Sequence, residues 1–245
     1  MSLPRFHVPE AGPGARLTLP EHSAHHAREV LRLRSGDAVR IFDGRGQEFE
    51  ATLDRVARQG VDARLGRAVA PRPESALRLV LALAPLKGDR MELVIQKATE
   101  LGVSEIRPVV TVRTDAAARP ALKGSRSERW DKVASGAAEQ CGRAVVPAVA
   151  AATTLPALLA EPFDGARIVL LETPGQSALA AVPERPRAVL LLVGPAGGWD
   201  ATEVERLFAA GYRAAGLGPR ILRSETAAVA AVAIAQALWG DLGDR

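Results

Sequence analysis

Two glycine-bearing segments have the residue types that a small-molecule site needs. The first, Gly194-Pro195-Ala196-Gly197-Gly198, follows the apolar run 188–193 and leads into Trp199 and Asp200. In an α/β sheet, ligands lie beyond the carboxyl ends of the strands, where glycines let the backbone approach them closely. The spacing is not GxGxxG, and no Gly-Lys-Ser or Gly-Lys-Thr follows, so neither a dinucleotide fingerprint nor a P-loop is present. A ligand loop and a tight structural turn both stay open. The second segment is Leu217-Gly218-Pro219-Arg220-Ile221-Leu222-Arg223-Ser224-Glu225-Thr226-Ala227. A turn and a helix capped by Ser224, with Glu225 in its first turn, account for Gly218, Pro219 and Ser224. They leave Arg223, ahead of an apolar helix, in need of a partner or a ligand.

Other reactive residue types are sparse. Cys141 is the only cysteine, which excludes an internal disulfide and a cysteine-rich zinc site and leads us to expect a reduced, cytoplasmic protein. It falls inside a predicted helix with no partner motif, where a small packing residue is the better reading than a nucleophile. His22, His25 and His26 cluster without an HExxH pattern or a carboxylate group, so no metal is expected. Arg28 and Arg32 lie one helical turn apart, with Arg34 just beyond, and form either a solvated basic face or a phosphate-binding one.

The elements that must position these residues change character along the chain. Short alternating strands are predicted over 5–8, 16–19, 37–42, 48–56 and 61–70, between glycine-rich turns, with one helix over 21–33 that places Ala24, Ala27, Val30 and Leu31 at helical spacing. That pattern suggests a small barrel. The proline-rich stretch 70–75 ends it. Strands then alternate with helices: strands over 77–84, 105–112, 166–171, 188–193 and 212–217, and helices over 89–101, 127–143, 200–210 and 225–239. Asp89 with Glu92 and Asp200 with Glu203 have capping-box spacing. Such alternation implies a mostly parallel sheet covered by helices. The closing helix is apolar nearly all round and is expected to be buried, between subunits in one reading.

Composition narrows the classes further. The chain has 245 residues, 47% hydrophobic and 24% charged, an ordinary globular balance. The opening MSLPRFHVPEAGPG is polar and proline-broken, and the most apolar run, Thr226–Leu238, falls short of the roughly 20 residues that span a bilayer, so no membrane role is expected. The net charge is only +4, but residues 1–72 carry 12 Arg, no Lys and 9 acids, and so hold +3 of it. A basic surplus in that part fits a polyanion partner.

Taken together, the motifs resemble those of the bacterial 16S ribosomal RNA uridine-N3 methyltransferase family of the SPOUT class. The resemblance rests on Gly194–Glu203 and Leu217–Ala227. It extends upstream through Lys87-Gly88-Asp89-Arg90, Gln96–Val103, Arg129-Trp130, Glu139-Gln140, and Arg143 with Pro147. In the N-terminal part, His26–Leu33 and Gly36-Asp37 fit the family's RNA-binding barrel. The resemblance implies an α/β fold in which a SPOUT trefoil-knotted methyltransferase domain, residues 73–245, follows a small PUA-like β-barrel, residues 1–72. It implies S-adenosyl-L-methionine as methyl donor, 16S rRNA within the small ribosomal subunit as partner, and a homodimer. Leu171, Glu172, Thr173, Gly194, Pro195, Gly198, Leu217, Gly218, Ile221 and Leu222 are expected to form the donor pocket. RNA contacts fall to His26, Arg28, Arg32 and Arg34. The chain departs from the family at Ala196, usually Glu, and at Val112, where an acid would precede Arg113.

The implied chemistry asks for specific help. Uridine N3 is an imide N–H that must lose its proton to attack, so a cation near the uracil oxygens or a general base assists. Arg113, Arg143 and Arg223 are candidates for the cation, and Glu225 for the base, beside its simpler role at a helix start. Two other classes fit parts of the sequence: a non-catalytic RNA-binding relative, suggested by Ala196, and an α/β enzyme holding a phosphorylated small molecule in the glycine loop.

Overall fold

A computed structural model describes residues 3–115, 125–172, 179 and 185–243, with backbone alone for 125–127. Thr173 lies outside the described residues. The chain forms two compact units, Met1–Glu74 with Ser135–Val146, and Ser75–Ala134 with Pro147–Arg245.

The first unit is a five-stranded sheet of β1 (Arg5–His7), β2 (Arg16–Thr18), β3 (Ala38–Phe42), β4 (Glu48–Ala57) and β5 (Gly60–Val69), in the order β1-β3-β4-β5-β2. β1 runs parallel to β3, and the other pairs are antiparallel. Period-two alternation sends Phe49, Ala51 and Leu53 of β4 and Val61, Ala63 and Leu65 of β5 into one core with Phe6, Val39 and Ile41. Each large side chain buried there contributes roughly 1.5–3 kcal/mol. Residues 135–146 add a satellite cluster in which Ala138 and Ala144 pack on Phe42. Arg5 is enclosed within this unit. Its guanidinium donates to both Glu48 oxygens at 3.0 and 3.1 Å and to the carbonyls of Ala138 and Arg143 at 2.9 and 3.0 Å, while lying 4.6 Å over the Phe42 ring.

The helix predicted over 21–33 is not continuous. α1 (Glu21–His25) passes into a π-helical turn, His26–Val30, and Arg32 adopts a left-handed backbone with φ of 53°. The Leu31 N–H bonds to His26 O and the Leu33 N–H reaches back to Ala27 O, a wider closure than an α-helix makes. Widening rotates the predicted face. Ala24 and Ala27 enter the core, whereas Val30 and Leu31 stand 62% and 39% exposed.

The second unit is an α/β layer on a parallel sheet. Its elements are β6 (Arg78–Leu83), α2 (Arg90–Glu100), β7 (Glu105–Val110), α3 (Ser125–Cys141, ending in the first unit), β8 (Ala148–Val149), β9 (Thr153–Thr154), α4 (Leu155–Ala160), β10 (Ala166–Leu170), β11 (Ala188–Val193), α5 (Ala201–Ala209), β12 (Arg213–Ala215) and α6 (Ser224–Trp239). The strand order is β12-β10-β11-β6-β7-β8, with β9 also on β7. β6 and β11 pair in register from Arg78↔Ala188 to Leu83↔Val193. Both are covered on two faces, which is why they read as unbroken apolar runs. This is the expected α/β class behind a small β unit.

Two capping expectations fail. Asp89 stands at the N-cap of α2 without a side-chain cap bond, and Glu92 instead pairs with Arg129 at 2.8 Å. At α6 the N-cap residue is Arg223, not Ser224, and no side chain caps the helix. The α5 box does form, with Asp200 accepting from the Thr202 N–H and Glu203 from the Asp200 N–H. On α6, Ala228, Ala231, Val232, Ala235 and Gln236 are buried, while Val229, Ala230, Ala233 and Ile234 are half-buried. Gln236 accepts from Ser75 Oγ at 2.8 Å and donates to Gly102 O at 3.0 Å, so this one polar side chain of the apolar helix is satisfied. Among the described residues no helix is long and apolar enough to cross a membrane.

Candidate cofactor cavity

A cavity of about 320 Å³ opens beyond the carboxyl ends of β10, β11 and β12, where parallel sheets place their ligands. Its walls are Leu170 at the end of β10 with Leu171 and Glu172, Val193 at the end of β11 with Gly194, Pro195, Gly198 and Trp199, and Ala215 at the end of β12 with Leu217, Gly218, Arg220 and Leu222. Val204 of α5 and Ser224 and Ala227 of α6 complete it. The two glycine segments of the sequence therefore form facing parts of one site.

Local chemistry explains the shape of the first loop. Gly198 has φ of 73°, a conformation that costs other residues, and its N–H closes a turn onto Pro195 O at 2.9 Å. Trp199 folds back so that its indole N–H donates to Leu170 O at 3.1 Å, fastening the loop to the end of β10. Gly194 lies under that indole, and a Cβ there would sit 2.7 Å from its nitrogen. The buried Glu203 carboxylate accepts from the Val112 N–H at 2.8 Å and so ties residue 112 to the start of α5.

Of the ten expected pocket residues, Leu171, Glu172, Gly194, Pro195, Gly198, Leu217, Gly218 and Leu222 line the cavity. Ile221 does not; its side chain is 82% exposed. Thr173 is not described. None of the four residues expected to be catalytic is among the described lining residues. Arg113 donates to Gly197 O at 3.3 Å and faces Asp200 at 3.6 Å, bracing the outside of the glycine loop. Hydrogen bonds from Thr202, with Arg113 adding to them, hold the Asp200 carboxyl below the usual carboxylate range. Arg143, in the first unit, is buried and grips Glu74 through two nitrogens at 2.9 and 2.6 Å. Arg223 is exposed at the head of α6, beside the lining residues Leu222 and Ser224. Glu225 faces Arg90 at 3.6 Å and does not line the cavity.

Sequence reasoning missed Trp199, Arg220 and Ser224. Among the described lining residues, Arg220 is the one cation and Glu172 the one anion. Trp199 was legible as the aromatic after the glycine pair, and Ser224 was hidden by its resemblance to a cap. Cys141 ends α3, half-exposed, with its thiol 3.8 Å from Ala138 O. Among the described residues, no three His, Cys, Asp or Glu side chains form a group able to hold a metal ion.

The chain has counterparts among known proteins. Residues 73–236 match the model of the RNA methyltransferase domain family, and residues 19–65 that of the RNA methyltransferase PUA domain. The chain belongs to this RNA methyltransferase family. Among its members, ribosomal RNA small subunit methyltransferase E of Synechocystis is 34% identical over 238 residues, covering 94% of this chain and 76% of its own. The enzyme of the same name from Bacillus subtilis is 33% identical, covering 83% and 82%. Two solved structures share the whole fold. A methyltransferase of Legionella pneumophila with its bound cofactor SAM has a TM-score of 0.92 at 34% identity, covering 99% of this chain and 100% of that one. Ribosomal RNA small subunit methyltransferase E of Neisseria gonorrhoeae, bound to S-adenosyl methionine, has a TM-score of 0.88 at 34% identity, covering 98% and 99%. The family thus combines a SPOUT-type α/β methyltransferase domain with a PUA-like domain, as the resemblance implied.

Proposed function

We propose that the protein methylates N3 of a specific uridine near the 3′ end of 16S rRNA in the small ribosomal subunit, with S-adenosyl-L-methionine as donor. The observation that carries this reading is the cavity itself, walled by the two segments that bear the family's motifs and placed at the carboxyl ends of three adjacent parallel strands. The residues present suit that donor. Leucines, Pro195 and Trp199 offer an apolar seat for a base, and Glu172 and Arg220 offer one charge of each sign for a ligand that carries both. When bound, the donor supplies an electrophilic methyl group on a sulfonium.

In this reading residues 1–72 hold RNA and residues 73–245 carry out transfer. The backbone loops at 194–198 and 217–222 fix the donor's orientation, which by itself removes much of the entropic part of the barrier. Arg223, at the cavity's rim, faces the uracil oxygens and stabilises the charge that develops as N3 loses its proton. Arg113 holds the glycine loop, and Arg143 holds Glu74. Glu225 is the counter-ion of Arg90. N3, its proton given up to water, would take the methyl group directly and leave S-adenosylhomocysteine, with no covalent bond to the protein, and Cys141 has no part in it. Two copies pair in the cytoplasm through the half-buried apolar residues of α6, which predicts a particle of twice 25.8 kDa in light scattering.

The test uses purified protein, S-adenosylmethionine labelled in its methyl group, and small ribosomal subunits from cells lacking the gene. Digestion to nucleosides is expected to place the label in N3-methyluridine. Label in 5-methyluridine, or none in a protein that binds both partners, overturns the reading.

A further inference from the structure

We infer that the first unit grips RNA through a composite surface: the π-helical turn His26–Val30, the left-handed turn at Arg32, and the tip of the β4–β5 hairpin at Arg58. This rests on the reading of the chain as an rRNA methyltransferase. It adds Arg58, which no motif points to, and gives Val30 and Leu31 of the His26–Leu33 segment a contact role.

Four observations converge on that surface. First, the arginines of residues 1–72 divide into paired and unpaired. Arg5, Arg40, Arg45, Arg55, Arg64 and Arg67 each face an acid within 4 Å, and Arg28 faces its neighbour Glu29. Arg16, Arg32, Arg34, Arg58 and Arg72 are exposed and have no acidic partner among the described residues, and three of these five fall on this surface. A paired arginine offers a polyanion little, because its charge is already answered, whereas an unpaired one releases counterions from the phosphates it meets. Second, Arg28 donates to Ala57 O at 3.3 Å and so ties the π turn to the hairpin. The register Ala57↔Gly60 makes Arg58 and Gln59 its two tip residues. Third, Val30 and Leu31 lie exposed between these cations, an arrangement suited to the sugar and base surfaces beside a phosphate chain. Fourth, Arg32 holds a left-handed backbone, which costs a non-glycine residue about 1 kcal/mol or more. Strain of that kind persists only where the surrounding structure holds it, and a glycine would remove it.

The test measures binding of the full chain to small ribosomal subunits from cells lacking the gene, across a range of salt. Arg58→Ala and Arg34→Ala are each expected to weaken binding about fivefold to tenfold at 0.1 M salt and to reduce the slope of log affinity against log salt by about 0.7–0.9. Val30→Ser is expected to weaken binding with the slope unchanged, because it removes no charge. Arg32→Gly separates function from folding: its melting temperature stays level or rises while affinity falls. Arg67→Ala, exposed but doubly bonded to Glu50, is the control and stays within about twofold. Wild-type affinity and slope in both Arg58→Ala and Arg32→Gly overturn the inference, as does an Arg67→Ala loss equal to that of Arg58→Ala. Failure of the wild-type chain to bind the subunits overturns the rRNA reading itself.

Discussion

The two units use charge in opposite ways. In the first, arginine is the dominant polar residue, and Arg40, Arg55, Arg64 and Arg67 are locked to acids across neighbouring strands, as in Arg55–Asp62 at 2.7 Å and Arg67–Glu50 at 2.9 Å. In the second, the cavity wall is largely glycine and apolar side chains, with one cation and one anion among its described residues. A site built from backbone is rigid and specific for one small ligand. A surface with a few unpaired cations is tolerant and salt-sensitive, which suits a long polyanion. The contrast separates donor binding from RNA binding, and substitutions can test each half.

The largest effect is expected inside the cavity. Gly194→Val would drive its side chain into the Trp199 indole and unfasten the loop from Leu170. Calorimetry is expected to show donor affinity weakened about 100-fold, with RNA binding kept. Next comes Arg223→Ala, which leaves the fold and donor binding intact and lowers the methylation rate about 100-fold, read in single-turnover assays. Full methylation would remove the charge role from Arg223 and turn attention to Arg220.

Arg143→Ala belongs to the other unit and acts on stability. It leaves Glu74, which is partly solvated, without its partner, and urea unfolding is expected to show a loss of about 2–3 kcal/mol. Smaller still is a pH effect at Glu139. Burial pushes its carboxyl from 4.5 up to about 6, against the opposing pull of the His7 N–H and of Arg5. The fold therefore favours the protonated acid. That stability is fully present below pH 4.5 and is lost as pH rises through about 6. Glu139→Gln is expected to match wild type near pH 4 and to exceed it by about 1–2 kcal/mol at pH 8. Desolvation lowers the His7 pKa and acts in the opposite sense on acidification, so the variant must be compared with wild type at each pH. The smallest effect is at Cys141, where Ser is expected to leave methylation unchanged.

How much of this was legible follows from the same contrast. The cavity could be read because backbone sites are written in glycine and proline at fixed offsets from apolar strands, and eight of its ten expected residues line it. The parallel sheet and the α5 capping box were equally plain. The proposed RNA surface was legible only in part: His26, Arg28, Arg32 and Arg34 were expected contacts, and Arg58 was not. An arginine's role there depends on whether an acid lies opposite it on the next strand, and Arg55 and Arg58 look alike until the hairpin register is known. The helix over 21–33 misled for a related reason. Its apolar spacing is helical, but the left-handed Arg32 closes the turn early and exposes Val30 and Leu31. Ser224 read as a cap because its type and place are those of caps, while the structure gives that place to Arg223.

The central claim is that this chain places a methyl group on uridine N3 of small-subunit rRNA, and primer extension tests it most directly. Because N3 takes part in Watson–Crick pairing, its methylation stops reverse transcriptase. RNA from wild-type cells is expected to give a stop near the 3′ end of 16S rRNA that disappears when the gene is deleted. The stop should return with the wild-type gene and stay absent with the Gly194→Val gene. An unchanged stop in the deletion strain would contradict the account.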